Sequence, residues 1–503
     1  MLILHPTIYL DVSGTTTDAL LVRDGQVVAV GDEAHHGAGG DATLRPDGAC
    51  LFPALGDAHV HLWGLGMRAG TVDLRGLDAD RALEALADAE PQADGWIFGT
   101  NLDEHHFRDG QSLTRDDLDR LFPTNPVRIH RVDRHAIWVN SAALQRASIT
   151  EHFESGADGH LARDDQGRLT GYLVDAAMEP VHAVIPRTTV AEDRAVFLEC
   201  AEKMRAFGMA FGTIARTSVA HVAMLKALAD HGDLPIHVDA LVAGTDPQFD
   251  DWRAEGPLLQ IDQGLRVAGV KFYADGALGS AGAHLLEPYR TGGTGLAMHE
   301  PGFLQERIPQ LMADGWQVAV HAIGDAAARE VLDAFEAVPQ TIRQRLRPRL
   351  EHAQMLTDDD CRRLRDLAVI ASIQPIHLRS DAPWAPDLLH EPQLDRLFPW
   401  RALNPDRLAG GSDFPIDDLN PWHGIATALT RRGADGISFR PDHALTRQEA
   451  LRAYTSGAAF ASHREAFLGH LTPGSRAEIL SLNSDPFNAT ADEIWSMEAS
   501  WVR

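Results

Sequence analysis

Cysteine is scarce in this chain: Cys50, Cys200 and Cys361 are the three among 503 residues, odd in number and far apart. That excludes a disulfide framework and a zinc ribbon, and it points to a reduced, cytoplasmic setting. Basic residues are few as well. Lys+Arg 45 against Asp+Glu 72 leaves a net charge of −27, a surface that repels nucleic acid and anionic lipid, so no nucleic-acid partner is expected. No stretch approaches the roughly 20 apolar residues of a membrane helix. Met1 to Val12 lack the basic start and apolar core of a leader, so neither a membrane partner nor a targeting segment is expected. Internal repeats and low-complexity tracts are also missing.

What is present is enough apolar material, 44% of the residues, for a large domain and a smaller one. Residues 1 to about 50 alternate apolar and polar positions between turns, with a hairpin signal at Asp24-Gly25. Leu471 to Leu482 has a similar turn-then-strand character. The two ends are therefore expected to pair, residues 1–53 with 466–503, as a small β-sandwich domain. Between them, 54–465, strand-like runs alternate with helical patterns: Phe211 to Ile214, Leu234 to Val242, Val267 to Tyr273, Gln317 to His321, Leu350 to Ala353, Val369 to Gln374 and Leu408 to Ser412. With the run ending at His61 these make eight, which predicts an α/β fold of the (β/α)8 TIM-barrel type. Residues of about 66–195 are too many for one crossover and read as an insertion placed to act as a lid, with hairpin signals at Asp109-Gly110 and Asp158-Gly159.

The chemistry concentrates at strand ends. In Asp57-Ala58-His59-Val60-His61, strand alternation points His59 and His61 to one side, a two-nitrogen platform for a metal. Lys271, His321, His352 and Asp413 each end a later apolar run. Imidazole suits zinc, nickel or iron, although each histidine taken singly is more readily a hydrogen-bonded structural one. Lys271 is the odd member. A buried ammonium beside cations is strongly disfavoured unless it deprotonates; a neutral lysine can take up CO2 as a carbamate, an anion able to bridge two ions. A surface lysine or a salt bridge is the plainer alternative. Asp413 offers a carboxylate that can bind metal and exchange a proton with an attacking water.

Five phrases now stand in order: Gly56-Asp57-Ala58-His59-Val60-His61-Leu62, Val270-Lys271-Phe272-Tyr273-Ala274-Asp275-Gly276-Ala277-Leu278-Gly279-Ser280, Val320-His321-Ala322-Ile323-Gly324-Asp325, Leu350-Glu351-His352-Ala353-Gln354 and Gly411-Ser412-Asp413-Phe414-Pro415. As a set they resemble the amidohydrolase superfamily, and within it the YtcJ-like, or amidohydrolase 3, family, across nearly the whole chain. The resemblance implies a barrel flanked by a β-sandwich and a centre of one or two divalent ions, zinc among them. It implies His59 and His61 on the more buried ion, His321 and His352 on the outer one, Lys271 as an N6-carboxylated bridge, and Asp413 as ligand and proton shuttle.

The same resemblance marks Asp133 and His135, in Asp133-Arg134-His135, as substrate contacts; there Arg134 stands where a glycine is usual. Ala281 replaces a common arginine, and the second run ends at Arg216 rather than at an aspartate or histidine. Gln374 and His377 follow the seventh run, where a barrel places substrate contacts. Arg134, Arg216 and Arg379 are expected to favour a carboxylate-bearing substrate, and Asp325 to cap a helix. The expected function is metal-dependent hydrolysis of a C–N, amide-type bond in a small molecule. A deaminase or cyclic-amide hydrolase on the same fold is the alternative, and a catalytically inactive binding module a third. A homodimer is the expected assembly.

Overall fold

The apolar runs form eight strands: Leu55–Val60, Met209–Thr217, His237–Ala243, Leu265–Tyr273, Gln317–Ala322, Arg349–His352, Ile370–Ile373 and Leu408–Gly410. They are taken from a computed structural model that describes residues 1–63, 71–92, 94–108, 111–155, 159–186 and 188–502. Each strand pairs in parallel with the next in chain order. Parallel strands covered on both faces have no polar side to show, which is why they read as continuous apolar runs. Among the described residues no ladder joins the last strand to the first. Just past their ends, however, Asp413 N donates to His59 O at 2.7 Å and His61 N to Phe414 O at 2.8 Å. The barrel is nearly closed, and the closing contacts lie at the carboxyl ends of its strands, where this architecture carries chemistry.

Helices cover the outside, and their limits follow local rules. Val190–Ala206 begins at Thr189, which exchanges hydrogen bonds with Glu192 as a capping box. Val219–His231 begins at a Ser218 cap and ends on Gly232 at φ 73°, a conformation that favours glycine. Their inner faces and the strands share one apolar core that includes Trp316, Trp400 and Trp422. Full burial of one large apolar side chain contributes roughly 1.5–3 kcal/mol. Asp325 does not cap, contrary to expectation. Gly324 occupies the cap position, and the Asp325 carboxylate instead accepts from Leu286 N and pairs with Arg396, each at 2.8 Å. A loop amide and a guanidinium outcompete the helix for it.

Both ends of the chain meet in one seven-stranded sheet. Leu2–Tyr9, Thr16–Arg23, Gln26–Val30, Thr43–Leu44 and Cys50–Pro53 come from the first segment, Ile479–Leu482 and Ala499–Trp501 from the last. Asp24 and Gly25 turn the hairpin with φ of 49° and 73°, the positive pair a two-residue turn of this twist requires. Cys50–Pro53 lies antiparallel to Ile479–Leu482, so the C-terminal segment is fastened to the strand that leads into the barrel. The ladder defines one mixed sheet; it does not define the two layers of a sandwich.

The segment between the first two barrel strands is larger in content than the pair of hairpins expected of it. It holds a six-stranded sheet of its own, built from Val72–Asp73, Ile97–Leu102, Val127–Arg131, Ala136–Val139, Gly159–Arg163 and Leu169–Asp175. Two apolar clusters accompany it, one around Trp96, Phe98 and Leu173, the other around Leu74, Leu118 and Trp138. Asp109-Gly110 and Asp158, expected in hairpins, lie outside the described residues. Val127–Arg131 and Ala136–Val139 form an antiparallel pair whose turn holds Arg134 at φ 65°. That explains the usual glycine there: a side chain in this region costs roughly 1–2 kcal/mol.

Arg131 of the insertion is fully buried and paired within it with Asp103 at 3.1 Å, Glu104 at 2.8 Å and Asp133 at 2.5 Å. A Cβ on Gly279 of the barrel would sit 2.8 Å from two of its guanidinium nitrogens. Only a residue without a side chain lets Arg131 seat there. No described helix is long and apolar enough to cross a membrane.

Candidate metal centre

His59, in the strand Leu55–Val60, and His61, just beyond its end, point to one side as alternation requires. Their Nε2 atoms lie 3.3 and 3.1 Å from the same oxygen of Asp413, Oδ1. Two donors 2.0–2.1 Å from a tetrahedral zinc are separated by about 3.3 Å. Asp413 reaches this point from a backbone at φ 57° in the loop after the last strand. Asp57 holds that loop against the His-x-His strand, accepting from His59 N at 2.9 Å, Ser412 N at 3.1 Å and Ser412 Oγ at 2.5 Å. Burial pushes the Asp57 carboxyl up to about 6, against those donors.

Behind His59 stands an ion pair wholly inside the barrel. Glu351 Oε2 lies 2.5 Å from His59 Nδ1, and Arg349 Nε donates to Glu351 Oε1 at 2.7 Å, with both Arg349 and Glu351 fully buried. An imidazole whose other nitrogen donates to a carboxylate is fixed in tautomer and orientation for binding metal. Alternation puts Arg349 and Glu351 on one face of their strand and His352 on the other. The chain escapes this by entering the left-handed region at His352, φ 71°, and Ala353, φ 45°. The His352 ring thereby stands 4.9 Å from that of His59 and 4.5 Å from that of His321. Such strain at a residue is a mark of functional sites.

His321 Nε2 faces Gly276 O at 3.2 Å and Asp275 Oδ1 at 3.5 Å. Asp275 itself accepts from Ile323 N, Gly324 N and His284 N at 3.0, 2.8 and 2.9 Å, and burial pushes its carboxyl up to about 7. Lys271 Nζ sits 4.7 Å from the centre of the Tyr273 ring and has no hydrogen-bond partner among the described residues. Burial lowers it to about 8, although Glu351 and Asp413 pull the other way. The same burial brings His61 down to about 4 and His321 and His352 well below the ordinary value, leaving the neutral imidazoles a metal requires. Burial raises Asp413, but His59 and His61 overcome it and hold the group well below the usual carboxylate range.

The donor set fits a metal. Among the described residues His59 Nε2, Lys271 Nζ, His352 Nδ1, His377 Nε2 and Asp413 Oδ1 are all buried without a hydrogen-bond partner, a cost that burial of polar groups does not normally leave unmet. Two groups of three bring ligand atoms within 4.8 Å of one another: His59, His61 and Asp413, and His352, His377 and Asp413.

The expected substrate contacts are placed unevenly. His135 reaches in from the insertion: its ring is 5.2 Å from that of His321 and its Nδ1 is 2.7 Å from Asp175 Oδ1. Burial disfavours its charge, yet Asp175 lifts it to about 8. Asp133 spends one oxygen on Arg131 and the other on His135 N at 3.0 Å, so it shapes the loop. Gln374 donates to Ser372 O at 3.2 Å and leaves Oε1 buried without a partner. His377 lies beside Asp413, Nε2 to Oδ2 at 3.7 Å. Arg216 stands over Tyr273 at 5.8 Å, Arg134 donates to Asn101 Oδ1 at 3.2 Å, and Arg379 lies 4.6 Å over Trp495. Each of the three arginines therefore has a different neighbour. Asp57, Asp275 and Glu351 were missed as site residues. For Asp57 and Glu351 a signal existed: each is an acid in a strand, within two positions of a candidate ligand, where solvation is unavailable to it.

Comparison with known proteins follows the same direction. The model of the amidohydrolase family matches residues 47–503. YtcJ of Bacillus subtilis (strain 168), an amidohydrolase by name, is 32% identical over 501 residues, covering 94% of this chain and 92% of the relative. A protein named N-substituted formamide deformylase, from Arthrobacter pascens, is 27% identical across 97% of this chain and 94% of its own. An uncharacterized metal-dependent hydrolase from Pyrococcus horikoshii OT3 has a TM-score of 0.78 and 26% identity, over 98% of this chain and 99% of that one.

Proposed function

Because the chain belongs to the amidohydrolase family, a family of metal-dependent hydrolases, we propose that it hydrolyses the C–N bond of an N-substituted formamide or another N-acyl amine. The observation that carries this reading is the convergence of His59 Nε2, His61 Nε2 and Asp413 Oδ1 within 3.3 Å. The name of the Arthrobacter pascens relative supports the choice of substrate.

His59, His61, His321, His352 and Asp413 would hold zinc, as one ion or two. A divalent ion bound there lowers the pKa of its water and polarises a carbonyl oxygen. The protein does the rest. Asp413, kept ionised by His59 and His61, takes a proton from the attacking water and passes it to the departing nitrogen. Glu351, locked by Arg349, holds His59 still. Lys271, buried, unpartnered and lowered in basicity, is suited to carboxylation by CO2. His135 brings a polar group from the insertion to the substrate side of His321.

The test is amine release from a panel of N-formyl and N-acetyl amines by zinc-loaded protein and by Asp413→Asn. Loss of the proton-transfer group lowers kcat by about 10²–10⁴-fold. Zinc-loaded protein that leaves every amide intact but frees ammonia from an amino-heterocycle would replace this reading with deamination.

A further inference from the structure

His377 follows the seventh barrel strand, Ile370–Ile373, in the first turn of the helix Pro375–Asp381. Its ring is nearly parallel to that of His352, centroids 6.1 Å apart at 15°, and its exposure is 9%. Resting on the reading of a metal-dependent centre, we infer that His377 is a direct ligand of a second divalent ion, held with His352 and Asp413.

Three observations carry it. First, the Asp413 carboxylate is divided: Oδ1 serves His59 and His61 at 3.3 and 3.1 Å, while Oδ2 faces His377 Nε2 at 3.7 Å. Second, 3.7 Å is too long for a hydrogen bond. Among the described residues His377 Nε2 is buried with no other partner, as is His352 Nδ1, so the protein itself does not meet their need for one. Third, the spacing suits an ion. Donors about 2.1 Å from a metal, subtending roughly 110–125°, lie about 3.4–3.7 Å apart. A carboxylate with one oxygen toward each ion is a plain way to build a two-ion site. His321 is less well placed for this group: its Nε2 is turned to Gly276 O and Asp275, and among the described residues it belongs to no set of three donors within 4.8 Å. The rival occupant of the gap is a bridging water, which would make His377 a positioning residue.

Zinc per chain and its affinity, by elemental analysis and chelator competition, separate these roles in the wild type, His377→Gln and His377→Asp. Direct ligation predicts two equivalents in the wild type. In His377→Gln one is lost, or its affinity falls by more than the roughly 10–100-fold that removal of a residue behind a ligand costs. His377→Asp, which restores a donor, recovers the second equivalent. Matching thermal melts of the metal-free proteins check that the fold is kept. Wild-type stoichiometry and affinity in His377→Gln would overturn the assignment. A wild type that binds no zinc at all would instead strike the metal-dependent reading on which it rests.

Discussion

Glu351→Gln is the sharpest perturbation the barrel interior offers. It changes no volume, but it removes a negative charge that meets His59 Nδ1 at 2.5 Å and Arg349 Nε at 2.7 Å, in a place where both Glu351 and Arg349 are fully buried. Arg349 keeps its bonds to Ala58 O at 2.5 Å and Ser372 Oγ at 3.2 Å, yet it loses its only close counter-charge among the described residues. Breaking a buried pair from one side costs roughly 3–5 kcal/mol. His59 is then free to rotate, and the affinity for zinc falls about 10–100-fold, or roughly 1.4–2.7 kcal/mol. Urea unfolding of the metal-free proteins reads the first quantity, chelator competition the second. A second change separates them: adding Arg349→Met removes the stranded cation and recovers stability, but not zinc affinity. The pH behaviour follows from the sign of the shift. Burial pushes Glu351 up, but Arg349 and His59 hold it below the ordinary value. Its contribution is therefore complete above the unfolded pKa of about 4.3 and is lost only as pH falls on toward the folded one. A Glu351→Gln protein with unchanged metal-free stability and unchanged zinc affinity would refute the reasoning.

Three further outcomes are expected. In Gly411→Ala the new Cβ would meet His59 N at 2.6 Å and Asp57 Oδ1 at 2.8 Å; backbone cannot yield as a side-chain tip can, so the protein should lose bound zinc, and elemental analysis showing full occupancy would count against it. Chelation should lower the melting temperature: saturation at 100 times Kd contributes about 2.7 kcal/mol, restored on adding Zn2+ and visible by calorimetry. His463 is brought by burial to about 3, below its unfolded value. A base with a depressed folded pKa costs stability as pH drops below about 6.5, where only the unfolded chain takes the proton. His463→Gln should thus lose less stability than the wild type between pH 7.5 and 5, read as the shift in urea midpoint.

The barrel strands were legible because parallel strands are buried on both faces, so apolar residues dominate most of them, as in Gln317–Ala322, which carries His321 near its end. His59 and His61 were legible because alternation alone sends them the same way. Glu351 was not, since its partner His59 is 292 positions away and its neighbour His352 seems by alternation to own the site. Only the φ of 71° at His352 lets both face inward, and no sequence rule foretells that kink for a histidine. The sheet of the insertion was under-read for a related reason. Its strands are short, one of them Val72–Asp73, and they mix parallel and antiparallel neighbours, so no single period marks them. Asp325 was misjudged because helix position, taken locally, says nothing of Arg396.

Arg131 lets the insertion be considered as a separable unit with an anchor. The inserted sheet carries its own two apolar clusters and meets the barrel at matched points that include the Arg131 guanidinium seated on Gly279 and the His135 ring beside that of His321. Such a unit can accumulate change in its loops while the ligand-bearing strands stay untouched. Selection can then reshape which molecules are admitted without rebuilding the machinery that cuts them. Grafting residues 72–186 between relatives, with the Arg131 and Gly279 pair preserved, is the natural route by which this scaffold would acquire new substrates.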